Sequence, residues 1–200
     1  MSKGGLLDLK PLYNHIIAGK YKGAKIKLPS LQTTRSSKSI LKESFFNVVS
    51  YDIIDKIFIE CFAGSGSIGL EAISRGAKRC YFIEKDKQSF DTLKQNCQNI
   101  DDVKSLLVYG DSFDKTPQIL DRYNNQDESL ILYIDPPFPI FEDTHDIYEK
   151  LFDMLKQIKN QNISLIVFEC QSSYPMPKNI GRWTTNKTKK FGRSSLVYYV

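Results

Sequence analysis

The chain is poor in the residues that hold metals. It has two histidines, His15 and His145, and four cysteines, Cys61, Cys80, Cys97 and Cys170, with no C-x-x-C pair among 200 residues. The histidines stand far apart without a partner motif and read as surface or packing residues. The cysteines fall in apolar settings or on helix faces, which fits buried free thiols in a reducing cytoplasm better than a zinc site or a disulfide set. Long apolar runs are missing too. The longest, Leu130–Ile134 and Ile163–Phe168, are strand-length and far below the roughly 20 residues of a membrane span. No apolar stretch follows Met1-Ser2-Lys3-Gly4-Gly5, so no secretory signal is expected. Neither an internal repeat nor a low-complexity block is present. These absences lead to the expectation of a cytoplasmic monomer with no metal and no membrane partner.

Acidic residues are missing only locally. Residues 181–200 carry five Lys/Arg and no acid, and residues 1–50 carry nine Lys/Arg against two acids. Residues 51–180 carry fourteen bases against twenty-one acids, so the net charge of +5 conceals an acidic body with two basic ends. Neutralising phosphates releases counterions, and two basic flanks on one acidic domain point to a polyanion partner. Lys20, Lys22, Lys25 and Arg35 at one end, with Lys189 and Lys190 at the other, are the candidate contacts.

With 41% hydrophobic residues the chain can bury one core of ordinary size. Residues 1–34 are polar and basic, with Ile16-Ile17 and a Gly19–Gly23 turn between two short strands. Over residues 36–50, Leu41, Phe45, Val48 and Val49 fall on one helical face, with Ser36 and Ser37 as caps. Residues 1–50 are thus expected to form a basic extension, and 51–200 an α/β domain. Strands are predicted at 56–62, 79–84, 104–109, 130–134 and 163–169, and helices at 67–75, 87–99 and 144–160. Residues 179–189 and 194–200 read as a terminal hairpin around Lys189–Gly192. Strands apolar on both faces, alternating with helices, make a parallel sheet between helical layers, with the hairpin adding antiparallel pairing at one edge. Ligands of such folds gather at the carboxyl ends of the strands.

The candidate chemistry lies there. Glu60-Cys-Phe62-Ala63-Gly64-Ser-Gly66-Ser-Ile-Gly69 puts three glycines at a strand-to-helix turn, where backbone approaches a ligand and helix N–H groups are free. A tight βα turn and a dinucleotide fingerprint are competing readings. An acid at Glu60 would repel a pyrophosphate and suits a cationic ligand such as the amino group or sulfonium of S-adenosylmethionine. Glu84, followed by Lys85, ends the second strand where a carboxylate accepts both ribose hydroxyls of a nucleoside. Asp111, followed by Ser112 and Phe113, could accept from an adenine amino group while Phe113 packs the ring.

Asp135-Pro136-Pro137-Phe138 ends the apolar strand Leu130–Ile134. Two prolines cannot continue a parallel ladder and fix an extended backbone. The turn presents the Asp135 carboxylate and the Pro136 carbonyl in one direction, with an aromatic ring two residues on. An aromatic amine is a poor nucleophile because its lone pair is delocalised into the ring. Two acceptors on its N–H bonds favour a pyramidal nitrogen with the lone pair aimed at a methyl sulfonium. Phe138 can stack on the base, worth about 1–3 kcal/mol. Alone, the motif reads equally well as a proline-rich strand cap. Together with the glycine turn it points to amino methylation.

These two motifs resemble class I methyltransferases of the amino-nitrogen kind. The string Phe62-Ala-Gly-Ser-Gly-Ser-Ile-Gly-Leu-Glu-Ala-Ile-Ser-Arg-Gly76, then Phe82-Ile-Glu-Lys-Asp86, closely resembles the bacterial 16S ribosomal RNA guanine-N2 methyltransferase family. Ile16–Gly23, Phe45-Phe-Asn47 and the Lys190-Phe-Gly192…Tyr198 segment match that family as well, so the similarity covers nearly the whole chain. It implies a Rossmann-like, seven-stranded methyltransferase sheet. It implies S-adenosylmethionine bound across Glu60, Phe62, Ala63, Gly64, Gly66, Glu84, Lys85, Asp111 and Ser112, and a base pocket of Asp135, Pro136 and Phe138. The implied partner is ribosomal RNA or a small-subunit assembly particle. The sequence departs from the family at Arg35-Ser-Ser-Lys-Ser-Ile40, where Arg-Pro-Thr-Thr-Asp-Arg is usual, and only Arg35 and Glu43 keep the pattern. It departs also at Glu60, where aspartate is usual, and at Gly192-Arg193-Ser194 in place of Gly-Asp-Thr.

Three other readings use the same residues. An adenine-N6 or cytosine-N4 methyltransferase of DNA shares the Asp-Pro-Pro-aromatic chemistry but usually needs a separate recognition segment, for which 200 residues leave no room. A protein glutamine methyltransferase shares the pocket but has no use for basic flanks. A silent RNA-binding module would keep the flanks without needing Glu84 and Asp135 together.

Overall fold

A computed structural model describes residues 12–29, 35–137 and 144–200 of the chain. It opens with a small antiparallel hairpin, β1 (Tyr13–His15) against β2 (Lys25–Lys27), whose Ile16 and Ile26 turn inward. Next comes α1 (Arg35–Val49), which buries Leu41, Phe45, Phe46 and Val49 on one side, as the spacing of its apolar residues requires. Because α1 starts at Arg35, Ser36 and Ser37 stand inside its first turn and not ahead of it as caps.

The apolar runs then become five parallel strands: β3 (Ile57–Cys61), β4 (Arg79–Glu84), β5 (Ser105–Tyr109), β6 (Leu130–Ile134) and β7 (Ile163–Gln171). They are joined by α2 (Ser67–Ser74), α3 (Lys87–Ile100), α4 (Ser112–Asp121) and α5 (Thr144–Gln157). Every residue of β3 and β6 is buried, since helices cover both faces. Helix α4 is absent from the sequence-based expectation. It runs through Pro117 because the Asp111 side chain caps its start and Thr116, Ile119 and Leu120 bury against the sheet.

The chain closes with β8 (Asn179–Ile180), β9 (Trp183–Phe191) and β10 (Ser194–Tyr199). The sheet order is β5-β4-β3-β6-β7-β10-β9-β8, with β10 antiparallel to both β7 and β9. Seven of these strands are the expected methyltransferase sheet. The eighth arises because Gly181, at φ +57°, turns the chain inside the stretch predicted as one strand, 179–189. One face of the sheet packs Ile59, Ile83, Leu132 and Phe168 against α4 and α5; the other packs Phe58, Phe82, Ile131 and Tyr133 against α1, α2 and α3.

The N-terminal hairpin is part of that second core, and polar side chains fasten it. Glu71 on α2 is fully buried and accepts the N–H groups of Ile17 (2.7 Å) and Ala18 (3.0 Å). Its charge is met by Arg75 (2.8 Å) and by the buried ammonium of Lys42 on α1 (3.4 Å). Ser74 adds a bond to the Ala18 carbonyl (2.6 Å) and accepts from the Tyr21 N–H (3.0 Å). Removing one partner of a buried ion pair strands the other charges and N–H groups. Glu71→Ala should therefore cost about 3–5 kcal/mol, a fall in melting temperature on the order of 10 °C for a chain of this size. Glu71→Gln, which keeps one acceptor, should lose less. Thermal denaturation of both variants, followed by circular dichroism, checks the order.

Candidate active site

From β3 the chain builds the sheet outward through β4 and β5, then returns to lay β6 on the other flank of β3. The carboxyl ends of β3 and β6 thus form a topological switch point, where α/β sheets open a crevice. Cys61 pairs with Ile134, so Phe62 and Asp135 leave adjacent strand ends side by side.

The β3 exit is tightly specified. Phe62 lies in the left-handed region at φ +61°, a conformation that costs a non-glycine residue about 1 kcal/mol or more. It is held there by its N–H bond to Ser112 Oγ (3.1 Å) and by edge-on packing on Phe113. The next N–H, of Ala63, bonds to the Ile83 carbonyl (2.9 Å). Gly66, at φ +75°, caps α2 where a Cβ would come within 2.5 Å of Leu93 Cδ1. Gly69 lets α2 lie close on the sheet; a Cβ there would meet Cys80 Sγ and Phe82 Cε1 at 2.4 Å.

Glu60, the candidate partner of a cationic ligand, meets backbone at the start of α2. It is 4% exposed, and its two oxygens accept from the N–H groups of Ile68 (3.2 Å) and Gly69 (2.9 Å) at the start of α2. Burial pushes its carboxyl up to about 8, against the pull of those two N–H groups.

Glu84 and Asp111 are both set in place by backbone. Glu84 accepts from Gly64 N–H and from Asp86 N–H, each at 2.8 Å, and so ties the end of β4 to the glycine turn. Asp111 accepts from Phe113 N–H (3.0 Å) and from the Lys85 ammonium (3.0 Å). Partial burial works against ionisation of Asp111, but those two donors hold its carboxyl below the ordinary value. At Gly64, φ +53°, a Cβ would meet nothing within 4 Å, so the main chain of the turn borders open space.

Across the crevice, Asp135 is half-buried and Pro136 is buried. Phe138, assigned to the base pocket from sequence, lies outside the described residues. Behind Asp135, the Tyr133 hydroxyl donates to the buried Glu169 (3.0 Å). Burial first, then the nearby Glu169 and Asp135 carboxylates, drive the Tyr133 phenol far above its ordinary value and keep it neutral.

The basic candidates fall in two places. Lys20, Lys22 and Lys25 are exposed on the hairpin, whose tip rests on Ser74 at the C-terminal end of α2. That is roughly 12 Å along the helix from the glycine turn. Lys190 is exposed beside the β9–β10 turn, which stands at the carboxyl end of β7, the same end as Asp135. Lys189 reaches Ser44 on α1 (3.1 Å). Arg35 opens α1, and its side chain is outside the described residues. Among the described residues no group of three or more His, Cys, Asp or Glu is arranged to hold a metal, and no helix is long and apolar enough to cross a membrane. Glu71 and Asn96 escaped the sequence reading although both are buried and polar; a charge inside Gly69-Leu-Glu71-Ala-Ile73 was the available signal for the first.

Residues 14–200 match the family described as Conserved hypothetical protein 95. The ribosomal RNA small subunit methyltransferase D of Buchnera aphidicola subsp. Acyrthosiphon pisum is 31% identical, over 93% of this chain and 92% of that protein. The protein of that name from Escherichia coli is 26% identical, over 92% and 88%. Among solved structures, the yhhF protein from Escherichia coli superposes with a TM-score of 0.70 at 26% identity, covering 94% of this chain and 97% of that one. An RNA methyltransferase from Salinibacter ruber in complex with S-adenosyl-L-homocysteine shares the fold at a TM-score of 0.53 and 15% identity, covering 84% of this chain and 92% of that one.

The buried Glu60 makes stability depend on pH in a defined direction. With its carboxyl near 8 in the folded chain and at its ordinary 4.5 when unfolded, the folded state holds a proton that the unfolded chain releases in between. This group's contribution to stability is therefore full below about pH 4.5 and declines as pH rises through about 8. Glu60→Gln should flatten that decline. Urea midpoints of both proteins between pH 5 and 8.5 measure it; parallel curves would leave Glu60 ionised in the fold.

Proposed function

The chain belongs to the Conserved hypothetical protein 95 family together with the ribosomal RNA small subunit methyltransferase D proteins, and on that premise we propose that it methylates the exocyclic N2 of a guanine in small-subunit ribosomal RNA with S-adenosylmethionine as donor. The observation that carries this reading is the adjacency of the two motifs. The Asp135 turn leaves β6 beside the Phe62–Gly66 turn of β3, with Glu84 bonded to Gly64 at 2.8 Å.

The residues present fit the donor. Glu84 and Asp111 are acceptors oriented by backbone N–H groups before any ligand arrives, and the open space at Gly64 leaves room against the main chain. Glu84 accepts the ribose hydroxyls. Asp111, with Lys85 and Ser112 beside it, lies where the adenine amino group would be read, and Phe62 and Ala63 line the turn. Glu60 shapes that turn from behind through the first N–H groups of α2. When bound, S-adenosylmethionine supplies a methyl group activated on a sulfonium.

On the acceptor side, the Asp135 carboxylate and the Pro136 carbonyl take the two N–H bonds of the guanine amino group, and Phe138 stacks on the ring. The carboxylate would also offset the positive charge on nitrogen as its bond to the methyl carbon forms and the carbon–sulfur bond breaks, a charge discharged when nitrogen loses one proton and S-adenosylhomocysteine leaves. Holding nitrogen and methyl in line supplies most of the rate. To reach the crevice the base leaves its stack, which costs least in a loop, and loops are where RNA-binding proteins usually read sequence. Lys190 and Lys189 stand at the crevice end of the sheet, and the hairpin lysines extend the basic surface to the far end of α2 for backbone phosphates. Residues 1–50 act here as the RNA-contacting extension and 51–200 as the catalytic domain. Work on ribosomal RNA places the protein in the cytoplasm.

Asp135→Ala should keep the fold and the affinity for S-adenosylmethionine while single-turnover transfer falls about a hundredfold or more. Asp135→Asn should retain more activity, because its amide oxygen still accepts one bond. Glu84→Ala should weaken cofactor binding by about tenfold, the loss of one charge-assisted hydrogen bond. Melting temperature, calorimetric affinity and transfer rate, measured on each variant with small-subunit RNA or an assembly particle, separate these roles. Mass analysis of the product nucleoside checks for N2-methylguanosine. A folded Asp135→Ala enzyme working at the wild-type rate would end the assignment.

A further inference from the structure

Asn96 lies on α3, 2% exposed, and its side-chain hydrogen bonds all go to main chain of two distant segments. Its amide oxygen accepts the Lys27 N–H (2.9 Å). Its amide nitrogen donates to the Lys27 carbonyl (2.9 Å) and to the Ser65 carbonyl (2.9 Å). Lys27 ends β2, the strand that runs from the basic tip holding Lys20, Lys22 and Lys25. Ser65 is the middle residue of Gly64-Ser65-Gly66, whose first N–H is held by Glu84. One short side chain therefore joins the backbone of the hairpin to the backbone of the glycine turn.

The joint is stiff. An asparagine has two rotatable bonds, and here both ends of its amide are occupied by backbone groups, so a shift of either segment is passed on and not absorbed. One turn earlier on α3, Leu93 packs so closely against Gly66 that a single added carbon would clash. Other anchors of the hairpin reach elsewhere. Glu71 and Ser74 hold it to the body of α2 and Tyr21 bonds Asp101 at the far end of α3 (2.7 Å). Lys42 connects the His15 carbonyl to Ser67, but through a flexible stem and a long 3.3 Å contact.

We propose that Asn96 is a positioning residue that couples RNA engagement of the basic hairpin to the geometry of the cofactor turn, so that each ligand tightens the binding of the other. The inference rests on the reading above, in which the hairpin lysines meet RNA and Gly64–Gly66 meets S-adenosylmethionine. Ordering of Lys27 by phosphate contacts upstream on β2 orders Ser65 through the shared amide. Linkage makes the effect reciprocal.

The test compares the affinity for S-adenosylhomocysteine, which cannot react, with and without a small-subunit RNA transcript. The wild-type chain should bind it about fivefold or more tightly when RNA is present. In Asn96→Ala that ratio should fall to near one. Tyr21→Phe, which loosens the hairpin only at its tip, should keep the wild-type ratio, whereas a purely structural role would lower stability in both variants and leave the ratios alike. Asn96→Ser, with a single hydroxyl, stands in if the alanine variant does not fold. As an RNA-free readout, S-adenosylhomocysteine should slow deuterium exchange at the Lys27 amide in the wild-type chain and leave it unchanged in the Asn96 variant. A wild-type ratio near one, or an undiminished ratio in the Asn96 variant, overturns the coupling. A Lys20/Lys22/Lys25 triple-alanine variant tests the premise by itself: an unchanged salt slope of RNA binding would remove the hairpin as the RNA contact.

Discussion

The fold depends on a carboxylate placed where water cannot reach it. Burying an ionised side chain costs several kcal/mol unless partners replace its hydration. Glu71 finds its partners in the Ile17 and Ala18 N–H groups, Arg75 and Lys42. Those partners come from three separate stretches, so satisfying one charge fixes the hairpin, α1 and α2 relative to one another. Lys42 is in turn buried, and burial lowers its ammonium while Glu71 holds it up. Apolar packing then completes what the charge specifies. Ile16, Ile26, Leu41 and Phe45 join Phe58, Ile131 and Tyr133 in one core, and the N-terminal extension becomes a wall of the domain.

At the carboxyl ends of β3 and β6 the site is built from strand ends held under constraint. Phe62 is kept left-handed by Ser112, Glu84 is pinned by two N–H groups, and Asp111 is pinned by its helix cap and Lys85. A reaction that needs one nitrogen and one methyl in line benefits from acceptors that do not move on binding. The same rigidity explains why small residues occupy Gly66 and Gly69. Helix α2 must lie close on Cys80 and Phe82 of β4 and near enough to β3 for Glu60 to reach its first N–H groups.

Much of this was legible in the residues. The Glu60–Gly69 and Asp135–Phe138 motifs each sit where a strand ends, and apolar periodicity located the five parallel strands because strands buried on both faces read as short continuous runs. Other features were not. Helix α4 hid behind Pro117, since its reward is burial of Ile119 and Leu120, which no local pattern displays. The splitting of 179–189 at Gly181 is a matter of one backbone dihedral. Nor could the backbone partners of Glu60 be read, because the sequence names a charge beside glycines without saying which way it points.

By itself the sequence determined the α/β alternation, the strand ends at which chemistry can occur and the family to which the chain belongs, because those follow from periodicity and from short motifs whose members are neighbours along the chain. Only the tertiary structure decided which polar residues are buried and what they join. Glu71 and Asn96 look like ordinary helix-surface residues until the hairpin, some 54 and 69 positions earlier, folds over them. Their hydrogen bonds cross sequence separations that no local pattern encodes, and the cost of leaving a buried polar group unpaired is what makes those distant partners come together.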